Sequence, residues 1–179
     1  MKILKRQNNF SRQMNRLFLI FFLSITFFCQ GQTNGCFKSL ESALKNPTEV
    51  ITLDLEKKKL KVVPKEIFEM RNLERLILKR NKIKDVPKEL SALKHLHYLD
   101  LASNNIDSLP KELSILNLDT LILWDNRIRE FDREFEKMSS KLKYLDLRAI
   151  QMNRQEQKKI KEIFPTTNIR LAFPCNCNR

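Results

Sequence analysis

Two short motifs in this sequence contain residues that bind metals. His95 and His97 form a His-x-His pair, and Cys175 and Cys177 form a Cys-x-Cys pair. A zinc site needs at least three protein ligands, with imidazole nitrogens and thiolates as typical donors. No third ligand accompanies either pair, so the sequence predicts no metal site and no cofactor. The histidines are expected to be solvated loop residues and the cysteines an unpaired or locally paired tail.

Three aspartates would support acid–base chemistry only if two of them came close together. Asp54, Asp100 and Asp146 occupy the same position in three copies of a repeated segment and should lie on alternate strands of one sheet. Strands lie about 4.8 Å apart, so neighbouring aspartates are expected about 10 Å apart. That distance exceeds even the separation of roughly 6.5–9.5 Å in an inverting glycosidase. The sequence therefore indicates no catalytic residue, and these carboxylates are expected to be solvated or to face a basic partner.

Composition excludes two further kinds of site. The chain has 179 residues and only two glycines, Gly31 and Gly35. Both precede the repeats, which excludes a glycine-rich phosphate loop from the folded part. The formal net charge is +13, but five cations precede residue 31, and the other 29 basic and 21 acidic residues leave +8. These charges lie mostly in Lys- and Glu-rich stretches typical of solvated faces, without interleaved aromatics, so nucleic-acid binding is not indicated.

Residues 1–31 have the features of a secretory signal peptide. A basic and polar start precedes an apolar run of 12 residues, Leu17–Phe28, and small residues follow at Cys29 and Gly31. Twelve helical residues span about 18 Å, too little for a hydrocarbon core of about 30 Å. We therefore expect cleavage after Gly31 and a secreted, periplasmic or cell-envelope protein. Translation from Met14 and lipidation of Cys29 stay open as alternatives, although bulky Phe28 argues against lipidation.

A pattern of apolar residues repeats from Val50 onward. We number the positions within each unit from 0. Full units begin at Val50, Leu73, Leu96 and Leu118, and a degraded copy begins at Leu142. In the full units, apolar residues occupy positions 0, 3, 5, 10, 13, 17 and 20. Positions 3 and 5 lie on one side of a short strand. No such unit buries its apolar side alone, so the units are expected to stack and to be capped.

Two polar positions of the unit also recur. Position 8 is Asn81, Asn104 or Asn126 in the three middle units, and position 14 is Pro64, Pro87 or Pro110 in the first three. An asparagine amide both donates and accepts, so it can pair with backbone groups of neighbouring turns. Proline at position 14 favours a helical or 3₁₀ turn that returns the chain along the other side.

The frame Leu-x-x-Leu-x-Leu-x-x-Asn-x-Leu/Ile-x-x-Leu/Val-Pro-Lys-Glu-Leu resembles the leucine-rich repeat in its short, proline-containing variety. The resemblance covers Val50 to about Leu147. Lys58 and Ile150 replace asparagine in the first and last units, at positions expected to be partly exposed. The resemblance to the leucine-rich repeat implies an α/β fold, a leucine-rich repeat solenoid shaped as a short horseshoe with a parallel concave sheet.

Caps are predicted at both ends of the array. Ser39–Lys45 has helical spacing with Ser39 as N-cap, and Asn153 with Glu156 forms a capping box for a helix through Phe164. A final strand at residues 168–173, with alternating Ile169, Leu171 and Phe173, is expected to close the solenoid. The predicted organisation is a signal peptide at 1–31, an N-terminal cap at 32–49, the repeat array at 50–150, and a C-terminal cap and tail at 151–179.

The same geometry bears on the three cysteines that remain after cleavage. Their number is odd, so at least one thiol is unpaired or intermolecular. Five stacked strands separate the ends of the array by about 19 Å, whereas bridged Cα atoms lie within about 7 Å. Cys36 is therefore not expected to pair with Cys175 or Cys177.

The outward strand positions 2, 4 and 6 should align across the units into one concave surface. The only Trp and both Tyr of the chain lie at these positions, with two isoleucines expected to be exposed beside them. Aromatics and arginine dominate interface energetics, although packing along the sheet is the alternative. The predicted partner-binding residues are Arg75, Ile77, Tyr98, Asp100, Ile122, Trp124, Tyr144, Asp146 and Arg148, with the aromatics as anchors and the arginines giving orientation.

The resemblance implies recognition of a protein or extended ligand by a monomer, with a membrane involved only as an anchor. Two other functions stay open. An envelope-attached structural protein would use the basic charge and a lipid on Cys29, and an intracellular signalling regulator would not use the signal.

Overall fold

The computed structural model describes residues 35–174. Its centre is one sheet of seven short parallel strands that lie side by side in chain order. The predictions on the signal peptide, Met14, Cys29, Cys175 and Cys177 concern residues outside this range. The strands are β1 (Cys36–Phe37), β2 (Thr52–Asp54), β3 (Arg75–Ile77), β4 (Tyr98–Asp100), β5 (Thr120–Ile122), β6 (Tyr144–Leu147) and β7 (Asn168–Leu171).

Equivalent positions of successive units face each other across the sheet. Thr52 pairs with Arg75, Arg75 with Tyr98, and Tyr98 with Thr120. The same phase continues to β7, where Asn168 pairs with Tyr144. Each repeat therefore contributes one strand, and the predicted leucine-rich repeat solenoid with a parallel sheet is confirmed.

The repeated apolar positions form one continuous core. All of them are buried except Leu60, at position 10 of the first unit, which is half-buried. Positions 3 and 5 of the third unit, Leu99 and Leu101, are both fully buried. Burial of such side chains contributes about 1.5–3 kcal/mol each, so the stack supplies what a single unit lacks.

The position-8 asparagines form a ladder that links neighbouring units. The Nδ2 group of Asn104 donates to the carbonyls of Leu101 (2.9 Å) and Leu78 (3.1 Å), and its Oδ1 accepts from Ile83 N–H (3.0 Å). Asn81 and Asn126 make the equivalent bonds one unit earlier and one unit later. The amides thus satisfy buried backbone groups that have no sheet partner, as predicted.

The ladder stops in the fifth unit, where Ile150 replaces asparagine. Ile150 was expected to be partly exposed, but only 2% of its surface is accessible. The expectation was wrong because the aliphatic side chain joins the core cluster of the last unit. Lys58, the other replacement, is exposed.

The chain returns on the far side of each unit through a 3₁₀ helix. The helices at Lys65–Glu69, Lys88–Ala92 and Lys111–Ile115 each follow the position-14 proline, whose extended backbone ends the preceding segment. In the fourth unit, Asp132 replaces proline, and its side chain accepts from Glu134 N–H (2.9 Å). This unit continues through a 3₁₀ helix at Arg133–Phe135 into helix α2 at Glu136–Ser139.

The N-terminal cap contains a strand that the sequence did not predict. Helix α1 (Leu40–Ala43) begins after Ser39, whose side chain accepts from Ser42 N–H, as expected. A short 3₁₀ helix at Pro47–Glu49 follows. Strand β1 lies before α1 and pairs with β2. Two residues carry no detectable period, so only the structure reveals this strand.

Gly35 fixes the entry to β1. Its φ of +83° is available to glycine without cost, and its carbonyl accepts from the N–H groups of Ile51 and Thr52, both at 2.8 Å. A Cβ at this position would lie 2.5 Å from a side-chain carbon of Ile51. The residue therefore tolerates no side chain without a shift of its neighbours.

The C-terminal cap consists of helix α3 (Arg154–Ile163) and β7. Both hydrogen bonds of the predicted Asn153–Glu156 capping box are present. Phe164 is buried, and its ring meets that of Phe131 edge-on at 5.3 Å between centroids. The final strand ends at Leu171, and Phe173 is 98% exposed. The prediction that Phe173 belongs to this strand was wrong: within residues 35–174, β7 lies at the edge of the sheet, and its pairing with β6 ends at Leu171.

Candidate partner-binding site on the concave face

The outward positions of the strands form three aligned rows, which together are the concave face. Sequence analysis missed the contributions of β1 and β7, which add Cys36, Asn168 and Arg170 in register with the predicted rows. Position 2 places Thr52, Arg75, Tyr98, Thr120 and Tyr144 in one row; position 4 places Asp54, Ile77, Asp100, Ile122 and Asp146 in the next; and position 6 places Glu56, Lys79, Ala102, Trp124 and Arg148 in the third.

Arg75 and Tyr98 form a stacked pair on neighbouring strands. The guanidinium carbon lies 3.8 Å from the centroid of the tyrosine ring, which is a close cation–π contact. Burial, followed by the charge of Asp100, raises the pKa of the Tyr98 hydroxyl, and Arg75 offsets this only in part. Tyr98 is therefore a neutral phenol with its ring fixed in place. Its ring can make an apolar contact with a partner while its hydroxyl makes a hydrogen bond.

A second cation–π pair bridges two strands. The Lys79 ammonium lies 5.6 Å from the centroid of Trp124, and Ala102 occupies the strand between them with none of its surface exposed. A small side chain at position 6 of the middle unit leaves the space in which Lys79 and Trp124 meet. Trp124 is half-buried, so one part of its indole stays available to a partner.

The three aspartates of the face make turns at the ends of their strands. Each carboxylate accepts from the N–H two residues later: Asp54 from Glu56 (2.9 Å), Asp100 from Ala102 (2.9 Å) and Asp146 from Arg148 (3.1 Å). Aspartate favours such local turns because its short side chain reaches the backbone. The repeated spacing of Asp to the end of the strand was the signal that could have revealed this role.

The prediction that these aspartates are solvated or meet a basic partner was wrong for Asp100 and Asp146. Asp100 is 7% exposed and Asp146 is 2% exposed. The guanidinium of Arg148 already pairs with Asp146, with Nη2 to Oδ2 at 2.7 Å and Nε to Oδ1 at 2.9 Å. A partner would therefore meet Arg148 rather than the carboxylate beneath it.

The pKa values of the two buried carboxyls, Asp100 and Asp146, are shifted in opposite directions. Burial raises the pKa of Asp100, and the hydrogen bond from Ala102 N–H and the charge of Lys79 do not compensate. For Asp146, burial alone would also raise the pKa, but the hydrogen bonds and charge of Arg148 together hold the pKa below its ordinary value. The difference arises at position 6, which is alanine after Asp100 and arginine after Asp146.

The remaining predicted contacts are partly exposed. Ile77 and Ile122 were expected to be exposed, but both are half-buried between the rows beside them, as are Tyr98, Tyr144 and Trp124. The Arg148 side chain is 56% exposed. The structure therefore brings the nine predicted residues onto one surface and leaves the aromatics, isoleucines and arginines accessible to different degrees.

Other candidate sites lie away from this face. Among residues 35–174, no three His, Cys, Asp or Glu side chains converge as metal ligands, and His95 and His97 lie in the loop before β4. A cleft of about 430 Å³ lies where the fourth and fifth units meet and is lined in part by Arg127, Arg129 and Gln151. Over the same residues, no helix has the length and apolarity needed to cross a bilayer.

One short parallel strand per unit, a buried asparagine ladder and 3₁₀ helices on the opposite side define a solenoid repeat protein. The family model for the leucine rich repeat matches residues 48–106. The same frame of strand and return helix continues beyond residue 106 in the described structure, so the fold is that of a leucine-rich repeat solenoid. Leucine-rich repeat domains commonly mediate protein interactions.

Comparison with solved structures agrees with this assignment. An internalin C2 from Listeria monocytogenes has a TM-score of 0.58 and 25% sequence identity, over 75% of this chain and 56% of that one. The internalin inlF from the same organism has a TM-score of 0.55 and 18% identity, over 78% and 52%, and its likeness shows the fold alone. This chain thus spans about half the length of these structures. A search of curated protein sequences found no significant match.

Proposed function

We propose that this protein is an exported recognition module that binds another protein or an extended ligand through its concave face, without catalytic turnover. One observation carries the proposal: the single Trp, both Tyr and several arginines lie on this one face, half-buried or exposed, over adjacent strands. Such residues supply most of the binding energy in protein interfaces.

The repeat frame does not require these residues. Position 2 holds threonine in two units, arginine in one and tyrosine in two, and position 6 holds five different residue types. Each of them fits the same stack in the same register. Their identities are therefore free to serve recognition, whereas the buried leucines and asparagines are not.

The charges of the face favour one orientation of the ligand. Arg148 and Arg170 lie toward β7, whereas toward β1 the acidic Asp54 and Glu56 are accompanied by Arg75 and Lys79 of the next unit. An extended ligand whose acidic end lies on the β7 side would match this distribution. Electrostatic complementarity of this kind fixes register and raises the association rate.

Three observations on residues 1–31 support export: the basic start, the apolar run and the small residues before position 32. The intact mass of the protein recovered outside the cytoplasm tests this. A mass that begins at Gln32 supports cleavage after Gly31. An acylated Cys29 favours the envelope-attached alternative, and an uncleaved chain inside the cell favours the intracellular regulator.

The binding proposal is tested by comparing two variants in a quantitative pull-down. Tyr98→Ala with Trp124→Ala removes two predicted anchors, whereas Ile115→Ala with Phe173→Ala removes apolar side chains that are 53% and 98% exposed elsewhere. Anchor residues typically contribute about 2 kcal/mol or more each, and about 1.4 kcal/mol is tenfold in affinity. Affinity for the true partner should therefore fall at least about thirtyfold in the first variant only.

The affinity is then measured with the purified partner, and thermal unfolding shows that both variants are folded. Equal affinity of wild type and the Tyr98→Ala, Trp124→Ala variant would show that the concave face is not the binding site.

A further inference from the structure

We propose that a strip of cations along one lateral edge of the first two units binds a linear polyanion of the acidic polysaccharide type. The strip lies just past the strands, at positions 7, 8, 9 and 11, and every member is exposed. Its members are Lys57, Lys58, Lys59, Lys61, Arg80, Lys82 and Lys84. This site is separate from the concave face and does not depend on the function proposed for that face.

The two halves of the strip are in direct contact. Lys82 N–H donates to the carbonyl of Leu60 at 2.7 Å, and Leu60 N–H donates to the side chain of Asn81 at 3.0 Å. The backbone segments that carry the cations therefore run side by side. Adjacent segments at this spacing place their side chains about 5 Å apart, so the seven charges form one continuous field.

Internal comparison shows that the repeat does not need these cations. In the third unit, the same four positions hold Ser103, Asn104, Asn105 and Asp107, and in the fourth they hold Asp125, Asn126, Arg127 and Arg129. Those two units together have two cations and two acids, whereas the first two have seven cations and no acid. The backbone at position 7 is left-handed in all four units, and the strands before it pair in one register, so the repeat itself does not require the cations.

The strip is also costly for the folded protein. The left-handed φ of Lys57 and Arg80 is shared by position 7 of the other units, but Lys59 adds a second left-handed residue, with φ of 59°, that occurs in the first unit only. Only Glu56 relieves the repulsion among the cations, with Arg80 at 3.4 Å and Lys57 at 3.8 Å. Among the described residues, the other five cations of the strip have no ion pair. Binding of an anionic ligand accounts for charges that the fold itself disfavours.

The composition and outline of the strip select the kind of ligand. Lysines are compact point charges, so they bind a ligand according to its charge density and do not select planar anionic groups. No aromatic residue lies among the four positions to stack on a nucleic-acid base. Acidic residues border the strip, with Glu56 at the concave rim and Asp85, Glu66 and Glu69 toward the 3₁₀ helix. A flat anionic bilayer would meet these acids, whereas a single chain follows the strip between them.

The test uses dextran sulfate as the anionic polymer, with neutral dextran and phosphatidylglycerol vesicles as comparison ligands. One variant carries Lys59→Asn, Lys61→Asn, Lys82→Asn and Lys84→Asn. The control variant loses the same charge elsewhere, at Lys94, Lys111, Lys158 and Lys161, all of which are exposed. Affinity is measured between about 50 and 200 mM salt, the range over which counterion release is strong. Thermal unfolding of both variants verifies that they are folded.

We expect the strip variant to bind dextran sulfate at least tenfold more weakly at low salt, whereas the control stays within threefold of wild type. The slope of log affinity against log salt should fall by roughly three to four, because each neutralised anion contributes about 0.7–0.9. Equal losses in the two variants would attribute binding to net charge and overturn the proposal. Absence of dextran sulfate binding, equal affinity for neutral dextran, or strip-dependent binding to vesicles alone would overturn it as well.

Discussion

Two asparagines of the ladder should differ in their contribution to stability although their surroundings look alike. Asn104 and Asn126 are both 8% exposed, and they share three hydrogen bonds of the same kind. Asn104 makes a fourth, longer bond to the Ala102 carbonyl (3.3 Å), which also accepts from Arg80 N–H. Both amides donate to the carbonyl of Leu101 at 2.9 Å. Removing either one alone therefore leaves that carbonyl with a partner.

The expected cost follows from counting the buried groups that lose their last partner. In Asn104→Ala, only Ile83 N–H is orphaned, because Leu78 and Leu101 keep bonds to the other asparagines. In Asn126→Ala, both Ile106 N–H and the Leu123 carbonyl are orphaned. Each orphaned group costs about 1–3 kcal/mol, so Asn104→Ala should lower the free energy of unfolding by about 1–3 kcal/mol and Asn126→Ala by about 1–3 kcal/mol more.

The double variant gives the sharper test. With both amides removed, the Leu101 carbonyl also loses its last partner, so the combined loss should exceed the sum of the two single losses by about 1–3 kcal/mol. Urea unfolding followed by far-UV circular dichroism and by the fluorescence of Trp124 measures all four proteins. Additivity within about 0.3 kcal/mol, or equal losses in the two single variants, would refute the shared-acceptor reasoning.

Three further predictions concern backbone strain, titration and the C-terminal cap. Ala149 has φ of 57°, so Ala149→Gly should stabilise the protein by up to about 1 kcal/mol in urea unfolding, and a loss of stability would contradict it. At pH 7, Asp146→Asn should lower the melting temperature and Asp100→Asn should raise it. Because the pKa of Asp146 is lowered, its ionised carboxylate stabilises the fold above about pH 4, and this stabilisation is lost as the pH falls through the pKa of the folded state. Because the pKa of Asp100 is raised, its ionised carboxylate destabilises the fold at neutral pH, and this penalty disappears when the carboxyl is protonated in acid. Both differences from wild type should therefore shrink in acid, and pH-independent differences would count against this account. Phe164→Ala should cost about 3–5 kcal/mol in urea unfolding because the ring is buried, while Phe173→Ala, 98% exposed, should change stability by less than about 0.5 kcal/mol; similar effects would show that the cap does not depend on the buried ring.

The stack was predictable from the sequence because each unit repeats the same physical requirement. In such a short unit, a leucine at position 3 or 5 is buried only when neighbouring units stack on it, and the same apolar pattern occurs in four units. The asparagine ladder was predictable for the same reason, because an amide at one fixed position beside buried backbone has few other uses.

The features that the sequence did not reveal depend on individual contacts that are not signalled by the repeated pattern. Strand β1 is two residues long and is set by the turn at Gly35, so no period signals it. Asp100 and Asp146 alternate with leucines as solvated strand residues would, and only the hydrogen bond to the following turn removes them from solvent. Ile150 occurs once at its position, so its burial depended on how the last unit closes against the cap.

The asparagine ladder ends at Ile150, so we expect the junction between the fourth and fifth units to be the weakest seam of the solenoid. Each of Asn81, Asn104 and Asn126 reaches back into the preceding unit, so the first four units are tied together by side-chain amides, whereas no such amide joins the fifth unit to the fourth. The fifth unit and its cap are held instead by the sheet pairing of β5 with β6, by the contact of Phe164 with Phe131 and by the apolar core that they share with the fourth unit. Opening fluctuations should therefore begin at this seam, with amide protons of β6, α3 and β7 exchanging as one block before those of β2 to β5. If that block opens first, Tyr98 of β4 and the cationic strip should keep their structure while it does so.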